Sequence, residues 1–373
     1  MSLSLVIAPD SFKGSLAASE VAAALAAGWR SVRPGDAITL LPQADGGEGT
    51  LDAVEAAVPG AIRREVGLVT GPDGRPVPGV WLELPGRIAV VELAQMSGLP
   101  LMDTLDPLGA TTYGLGEVIR AALGTGMERV VIGLGGSAST DGGAGALAAL
   151  GLRQSNGAEL TLGGGPLAEL TGLDRSGLLG PPAGGVVLLT DVDAPLLGPT
   201  GAASVFGPQK GASPAQVRLL DSALAHFAGL LGPGAAVPGA GAAGGSGYGF
   251  IAAWAAAVQP GADYLAGLSG LPAAIADADV LLTGEGRFDA TSSSGKLVGQ
   301  LIGLAEGNHA RIGIVAGQIT ALPASSDGTP LWCAALVDLA GSVDAALATP
   351  ARWLRDAGAA AAHALGGSPR HPE

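Results

Sequence analysis

A glycine-dense turn between Val130 and Gly145 is the part of this sequence best suited to hold an anion. The apolar run Val130–Ile132 predicts a buried strand, and GLGGSASTDGGAG leads from it into an alanine-rich helix. Glycines let an anion approach the backbone, while a helix amino terminus offers N–H groups and a positive dipole end. The predicted phosphate cradle consists of Gly133, Gly135, Gly136, Ser137, Ser139 and Thr140. A plain glycine-rich connection is the alternative in a chain with 63 glycines.

Carboxylates near strand ends could hold a divalent cation. Asp191 and Asp193 follow the apolar run 185–189, and Asp141 follows the cradle hydroxyls. Mg²⁺ is commonly bound by one or two carboxylates together with substrate phosphates. These aspartates are therefore candidate magnesium ligands, although an ordinary strand-to-loop exit has the same residue types.

The few lysines are also candidates for phosphate binding. Only three of the 19 basic residues are lysines. They are Lys13, Lys210 and Lys296, and each lies next to a glycine. The ammonium group is a compact point charge suited to a phosphate oxygen, which the planar guanidinium does not always replace. A solvated surface charge is the alternative for each lysine.

Composition and net charge limit the classes of molecule that this chain is expected to bind. With 373 residues, two domains are expected, and a net charge of −14 argues against nucleic acid or an anionic membrane as the main partner. Cys333 is the single cysteine, so no intrachain disulfide can form and a cytoplasmic location fits best. The sequence shows neither a signal peptide pattern nor a long apolar span.

The order of predicted elements indicates an α/β protein with two domains. Strands alternate with helices in the first 60 residues and the last 100, whereas 77–84 and 87–93 predict an antiparallel hairpin. We predict that 1–60 plus 275–373 form a discontinuous, mostly parallel domain, that 61–274 form an inserted mixed α/β domain, and that the active-site cleft lies between them. The DGGxG turn at Asp45–Gly49 repeats at Asp141–Gly145, which suggests two facing domains.

Several other sites are excluded or weakly supported. Ser294–Leu297 is not a Walker A loop, because Leu297 follows the lysine and Ala290 stands at the first glycine position. The spacing of Gly133, Gly135 and Ala138 satisfies the dinucleotide fingerprint, but only as a lone match. The four histidines lie outside every glycine motif, so a general base should be a carboxylate.

Seven motifs in order resemble the bacterial glycerate kinase family over nearly the whole chain. They are APDSFKGSL, PQADGGEGT, GLGGSASTDGGAGA, LTDVDAPL, FGPQKGA, PGAGAAGG, and TGEGRFD with GK behind it. The resemblance implies ATP-dependent phosphorylation of D-glycerate, usually at the 2-hydroxyl, with Mg²⁺. It also implies a Rossmann-like or flavodoxin-like domain interrupted by a mixed α/β domain. The sequence departs from the family pattern at Leu115, Thr140, Ala194 and Thr291, where polar groups near the ligands are lost or exchanged.

We assign each motif an expected role in phosphoryl transfer. Catalysis of this reaction depends mainly on positioning the reactants and on neutralising the charge of the phosphates. The nucleotide phosphates are expected at Gly135, Gly136, Ser137 and Thr140. Glycerate is expected at Asp10, Lys13, Asp45 and Glu285, with its carboxylate at Lys13. Catalysis is assigned to Asp191, Lys210, Lys296 and Asp289, and the metal to Asp191 and Asp193.

Other activities stay open from the sequence. The product could be 3-phosphoglycerate, or the acceptor a related small hydroxy acid. A nicotinamide-dependent dehydrogenase would use the fingerprint at Gly133, and a non-catalytic ligand-binding protein would explain the glycine turns without the lysines and paired acids.

Overall fold

The computed structural model describes residues 2–292 and 297–367. Its strands are β1 (Ser4–Ile7), β2 (Ala37–Leu40), β3 (Ile62–Thr70), β4 (Pro76–Leu84), β5 (Ile88–Glu92), β6 (Arg129–Gly133), β7 (Arg153–Gln154), β8 (Leu173–Asp174), β9 (Val186–Leu189), β10 (Ala257–Gln259), β11 (Val280–Phe288), β12 (Arg311–Ile319) and β13 (Trp332–Ala335). Its α-helices are α1 (Ala18–Val32), α2 (Thr50–Ala57), α3 (Ala94–Ser97), α4 (Tyr113–Gly124), α5 (Ala144–Ala149), α6 (Ala202–Phe206), α7 (Pro214–Leu231), α8 (Ala242–Trp254), α9 (Gly261–Leu268), α10 (Leu271–Ala276), α11 (Leu297–Gly307), α12 (Leu336–Ala340), α13 (Val343–Ala348) and α14 (Pro350–Leu365).

The described residues form two compact units. The first contains Met1–Ala44, Asp52–Pro59 and Leu265–Glu373, and the second contains Asp45–Leu51 and Gly60–Tyr264. The domain boundaries after residues 60 and 274 stay a prediction. The unit boundaries differ from them mainly in that the DGGEG turn at 45–51 belongs to the second unit.

The first unit has a five-stranded sheet in the order β13-β12-β11-β1-β2, and all its strands are parallel. The central strands have apolar side chains on both faces, which explains why they lie in the middle of the sheet. Leu5, Val6 and Ile7 of β1 are at most 1% exposed, as expected for a parallel strand covered on both faces. The predicted parallel α/β architecture is confirmed.

Helices α1 and α14 of this unit approach closely at two glycines. A Cβ atom on Gly28 would lie 2.0 Å from the carbonyl oxygen of Arg355, and one on Gly358 would lie 2.2 Å from that of Leu25. Backbone therefore packs against backbone, and neither helix can accept a methyl group there without moving.

Gly28→Ala should consequently lower the free energy of unfolding by about 2–3 kcal/mol, because the added methyl group forces the two helices apart. Gly303→Ala in α11 is the matched control, since no atom lies within 4 Å of its added Cβ. That variant should be unchanged or about 0.5–1 kcal/mol more stable, as alanine favours helix. Urea unfolding measures both, and equal stabilities of the two variants would contradict the close helix contact.

The second unit has a mixed sheet in the order β10-β9-β6-β5-β4-β3. Strands β10, β9, β6 and β5 are parallel, while β5-β4 and β4-β3 are antiparallel. The antiparallel hairpin expected from 77–84 and 87–93 is therefore present, and β3 extends it. This confirms a mixed α/β fold in which the carboxyl ends of β5, β6 and β9 lie side by side.

The glycine-rich segment 231–249 is not a flexible linker. Most of it after Gly239 is buried, and α8 contains a bend at Ala243–Gly245, where all three residues have positive φ. Although its composition is that of a linker, this segment is therefore packed backbone within the second unit. Across the described ranges, none of the helices has the length and apolarity needed to cross a bilayer.

Candidate active site

Two glycine turns of the second unit pack directly against each other. The N–H of Gly135 donates to the carbonyl of Gly46 at 3.1 Å. A Cβ atom on Gly135 would lie 2.4 Å from Cα of Gly47, and one on Gly133 would lie 2.7 Å from the carbonyl oxygen of Gly46. The missing side chains at 133 and 135 thus make room for the chain's own DGGEG turn.

This packing corrects two expectations. The two DGGxG turns lie in one unit rather than facing each other from two domains. The N–H of Gly135, expected to bind an anion, is already bonded to Gly46, which also removes a donor that a dinucleotide pyrophosphate would need. The fingerprint interpretation at Gly133 is weakened for that physical reason.

The bend of α8 forms a wall beside the cradle. A Cβ atom on Gly244 would lie 2.0 Å from the carbonyl oxygen of Ser139, and Gly142 N–H donates to the Gly244 carbonyl at 3.0 Å. Gly244 also has φ +63°, a conformation that glycine adopts readily. The PGAGAAGG motif therefore packs against the backbone of the cradle and holds it in place.

Lys210 lies under the cradle with only 2% of its surface exposed. Its Nζ donates to Ser137 Oγ at 2.8 Å and to the carbonyl oxygen of Ser139. Burial lowers the pKa of Lys210 to about 7, and the negative charge of Asp141 partly offsets that effect. An ammonium group cannot accept, so Ser137 Oγ accepts and its own hydrogen remains for another partner.

The hydroxyls near Lys210 are also deeply buried. Ser139 and Thr140 are fully buried, and Ser137 is 8% exposed. Within the part of the chain that the structure describes, Ser139 Oγ and Thr140 Oγ1 have no hydrogen-bond partner. Buried hydroxyls are usually paired. In the described ranges, two hydroxyl groups are therefore left unpaired in the buried part of the predicted phosphate cradle, near Lys210.

Asp141 has a structural position instead of the metal-binding one expected from sequence. It is fully buried, and its carboxylate accepts from Thr112 N–H and Oγ1 and from the N–H groups of Gly143 and Gly145. Burial raises the pKa of Asp141, while these hydrogen bonds act in the opposite direction. A carboxylate enclosed by four donors caps α5 and has no open side for a cation.

Asp141→Asn should lower the free energy of unfolding by about 2–3 kcal/mol, because an amide NH₂ would face buried donors. Asp174→Asn is a suitable control, since Asp174 is only half-buried and, among the described residues, its carboxylate accepts only from Ser176. We expect that control to stay within about 0.5 kcal/mol of the parent protein. Chemical denaturation tests the pair, and a stable Asp141→Asn protein would show that the network does not need the carboxylate.

Asp191 follows β9 at the sheet edge where β6 also ends. Its Oδ1 accepts from Gly261 N–H at 3.0 Å. Gly261 approaches so closely that an added Cβ would lie 1.9 Å from the carbonyl oxygen of Asp45. Partial burial raises the pKa of Asp191, and the negative charges of Asp45, Asp263 and Asp193 raise it further.

This group of carboxylates is compatible with a Mg²⁺ ion that substrate phosphates complete. No set of three or more His, Cys, Asp or Glu side chains in the described ranges is arranged to hold a metal on its own. Mg²⁺ usually takes one or two carboxylates and fills its remaining positions with water and phosphate oxygens. Asp191 and Asp193, whose charges oppose one another, fit that limited role.

The first unit carries the other predicted residues. Asp10 N–H donates to the Gly284 carbonyl at 2.8 Å, which sets Asp10, past the carboxyl end of β1, beside Glu285 within β11. Lys13 follows on the same loop and is exposed. Asp289 Oδ1 accepts from Thr291 N–H and Oγ1 at 2.9 and 2.6 Å. Lys296 lies outside the described residues.

Sequence reasoning missed two residues that shape the second unit. Glu92 is 1% exposed, and its carboxylate accepts from Gly49 N–H at 3.1 Å and Leu51 N–H at 2.9 Å. It therefore holds the DGGEG turn and the start of α2. Gly261 brings its loop onto Asp45 and Asp191. The sequence signal available for Glu92 was a charged residue at the end of the apolar run of β5. No sequence signal marked Gly261.

The departures from the family pattern differ in their surroundings. Leu115 is fully buried in the hydrophobic core of the second unit, so it does not replace a ligand contact. Thr140 lies in the cradle, and the carbonyl of Ala194 accepts from Gly241 N–H. Thr291 bonds to Asp289. The expectation of a lost polar contact is therefore wrong for Leu115.

Known proteins resemble this chain over most of its length. A model of the glycerate kinase family matches residues 5–366. Glycerate kinase of Bacillus subtilis is 44% identical over 305 residues, covering 79% of either chain, and glycerate 2-kinase of Escherichia coli is 41% identical over 329 residues, covering 85% of this chain and 86% of its own. A crystal structure from Salmonella typhimurium LT2, assigned as glycerate kinase 2, aligns with a TM-score of 0.81 at 35% identity over 98% of this chain and 99% of its own. The chain therefore belongs to the glycerate kinase family, as its seven motifs predicted.

Proposed function

We propose that the protein transfers the γ-phosphoryl group of ATP to the 2-hydroxyl of D-glycerate, giving 2-phosphoglycerate and ADP. The observation that carries the proposal is the buried Lys210 beneath Ser137, beside two further buried hydroxyls. A positive charge and hydroxyl donors at a turn suit a phosphate group. Membership of the glycerate kinase family supports the acceptor, and the 41% identity to a glycerate 2-kinase supports the position of attack.

The reaction moves one phosphoryl group and one proton. The 2-hydroxyl oxygen attacks the γ-phosphorus, the bond from that phosphorus to the β,γ-bridging oxygen breaks, and the hydroxyl proton leaves. In this proposal Asp191 takes the proton or holds the metal with Asp193. Lys210 and Lys296, the latter on the sequence motif alone, neutralise charge on the transferred group. Mg²⁺, when bound, would screen the charges of the phosphates.

The remaining predicted residues keep their assigned roles as proposals. Asp10, Lys13, Asp45 and Glu285 would bind glycerate, with Lys13 facing its carboxylate, and Asp289 is a second candidate base. Gly136, Ser137 and Thr140 would contact nucleotide phosphates, whereas Gly135 would act through its close packing on Gly47. We also propose a cytoplasmic location, which suits a chain whose single cysteine is Cys333.

Phosphorus NMR of a mixture of protein, D-glycerate and MgATP, with no coupling enzyme, tests the proposal directly. We expect a new phosphomonoester resonance at the shift of 2-phosphoglycerate and an equal amount of ADP. A resonance of 3-phosphoglycerate would overturn the position of attack. Absence of product with D-glycerate, together with turnover of another hydroxy acid, would overturn the acceptor but not the phosphoryl transfer.

A further inference from the structure

A pocket of about 170 Å³ lies in the first unit, at the carboxyl ends of three strands. Phe12 lines it from the loop after β1, Gly286 from β11 and Gly317 from β12. Strand β1 is flanked by β2, which follows it in the chain, and by β11, which starts the run to β12 and β13. Ligands of open parallel sheets bind at such a reversal of strand order.

The outer wall of this pocket is apolar and partly uncovered. It is formed by Leu336 and Val337 of α12 and by Val343, Ala346 and Leu347 of α13. Val343 is 52% exposed and Leu347 is 59% exposed. Large apolar side chains at the mouth of a pocket are typical of a surface that a ligand covers.

The floor of the pocket is bare backbone. A Cβ atom on Gly317 would lie 2.4 Å from the carbonyl oxygen of Gly286, so position 317 must be glycine. A Cβ atom on Gly286 would itself lie 3.5 Å from Cα of Phe12. The two glycines therefore let β11, β12 and the loop after β1 pack backbone against backbone, and neither position has a side chain that could fill the pocket.

Charge at the pocket is positive. Lys13 and Arg287 line it together with Gln318, and no acidic residue is among its described lining. Glycerate has no apolar part that could use the wall of α12 and α13. A heterocycle that carries phosphates would use the backbone floor, the apolar wall and the Arg287 cation together.

We propose that this pocket binds the purine base of the nucleotide, with Arg287 facing its phosphates. The proposal rests on the proposed function, because a kinase needs a nucleotide donor. It adds a base-binding site made by the first unit alone, from β11, β12, α12 and α13. Lys13 also lines the pocket and keeps its assignment to the glycerate carboxylate, so Arg287 is the cation assigned to the phosphates.

Leu347→Glu tests the pocket, because a carboxylate at the mouth repels phosphates and interrupts the apolar wall. Its side chain is largely exposed, so folding should not suffer. Leu322→Glu is the matched control, as Leu322 is 80% exposed in the same unit and does not line the pocket. We expect Leu347→Glu to weaken ADP binding by about tenfold or more in calorimetry and to raise the KM for ATP equally. The KM for glycerate should stay within about twofold, and Leu322→Glu should match the parent protein.

Tripolyphosphate separates recognition of the base from repulsion of the phosphates. It lacks a base, so Leu347→Gln, which breaks the apolar wall without adding charge, should leave its inhibition constant unchanged while ADP binds more weakly. Equal weakening of tripolyphosphate and ADP, or ADP binding unaffected in both variants, would overturn the base site alone. Failure of the parent protein to bind ADP at all would overturn this site and the proposed function together.

Discussion

Lys210→Met should reduce turnover by about a thousandfold, the upper range for removal of one buried stabilising donor. Lys210 donates to Ser137 and to the Ser139 carbonyl, so its charge and the direction of the Ser137 hydroxyl are lost together. Methionine has a similar length and is apolar, and replacing a buried charge by an apolar group often changes stability little. A steady-state assay at saturating MgATP and glycerate measures the loss.

The same variant has a distinct pH signature in stability. Burial holds the pKa of Lys210 at about 7 in the folded protein, below the ordinary value of 10.5. Between those pH values the unfolded chain binds the proton and the folded protein has lost it, so the parent protein gains stability relative to the variant as pH rises. Between those pH values the difference in unfolding free energy grows by at most about 1.4 kcal/mol per pH unit, and below about pH 7 it no longer changes with pH.

Arg218→Met is the matched control for Lys210→Met, because Arg218 is exposed on α7 of the same unit. We expect its turnover to stay within about twofold and its stability difference to be independent of pH. Turnover of Lys210→Met above a third of the parent value would remove Lys210 from the machinery. A stability difference that is flat between pH 7.5 and 9.5 would show that the buried amine keeps its proton.

Asp191→Asn should also reduce turnover by about a thousandfold while the protein stays folded. The asparagine oxygen can still accept from Gly261 N–H, so the loop keeps its anchor. The substitution removes the negative charge at position 191. This relieves its repulsion by the carboxylates of Asp45, Asp193 and Asp263. Stability should therefore be within about 1 kcal/mol of the parent protein, on the higher side if it changes.

Asp174→Asn, the same substitution at the half-buried end of β8 in the second unit, should leave turnover unchanged. Titrating Mg²⁺ distinguishes the two roles of Asp191. A metal ligand lost at 191 should raise the Mg²⁺ concentration needed for residual turnover, whereas a lost base should not. Near-parental turnover of Asp191→Asn would contradict both roles.

Sequence patterns predicted well those elements of the fold that are buried on both faces or joined by a short hairpin. The apolar runs of β1, β6, β9 and β11 correspond to parallel strands buried on both faces, and the hairpin spacing predicted the antiparallel pair β4-β5. These patterns depend on neighbours along the chain and on the period of the strand. Local residues therefore carry enough information to predict them.

The site was predictable in composition but not in contacts. The cradle, Lys210 and Asp191 follow from residue types, yet nothing local shows that Gly135 packs on Gly47 or that four donors enclose Asp141. The contact with Gly47 and the two donors of Thr112 come from segments about 30 to 90 residues away, whereas Gly143 and Gly145 are local donors. A glycine needed by the chain itself and a glycine needed by a ligand have the same signature in the sequence.

The pairing of β1 has a consequence for the order in which the protein folds during synthesis. Ser4 and Asp279, whose groups are bonded across β1 and the start of β11, are 275 residues apart. At ribosomal rates of about 5–20 residues per second, β1 waits on the order of tens of seconds for this neighbour. Residues 60–264 emerge meanwhile as one continuous stretch that can bury its own core. Until the last third of the chain is made, the apolar strand β1 therefore depends on chaperones or on its pairing with β2 to avoid aggregation.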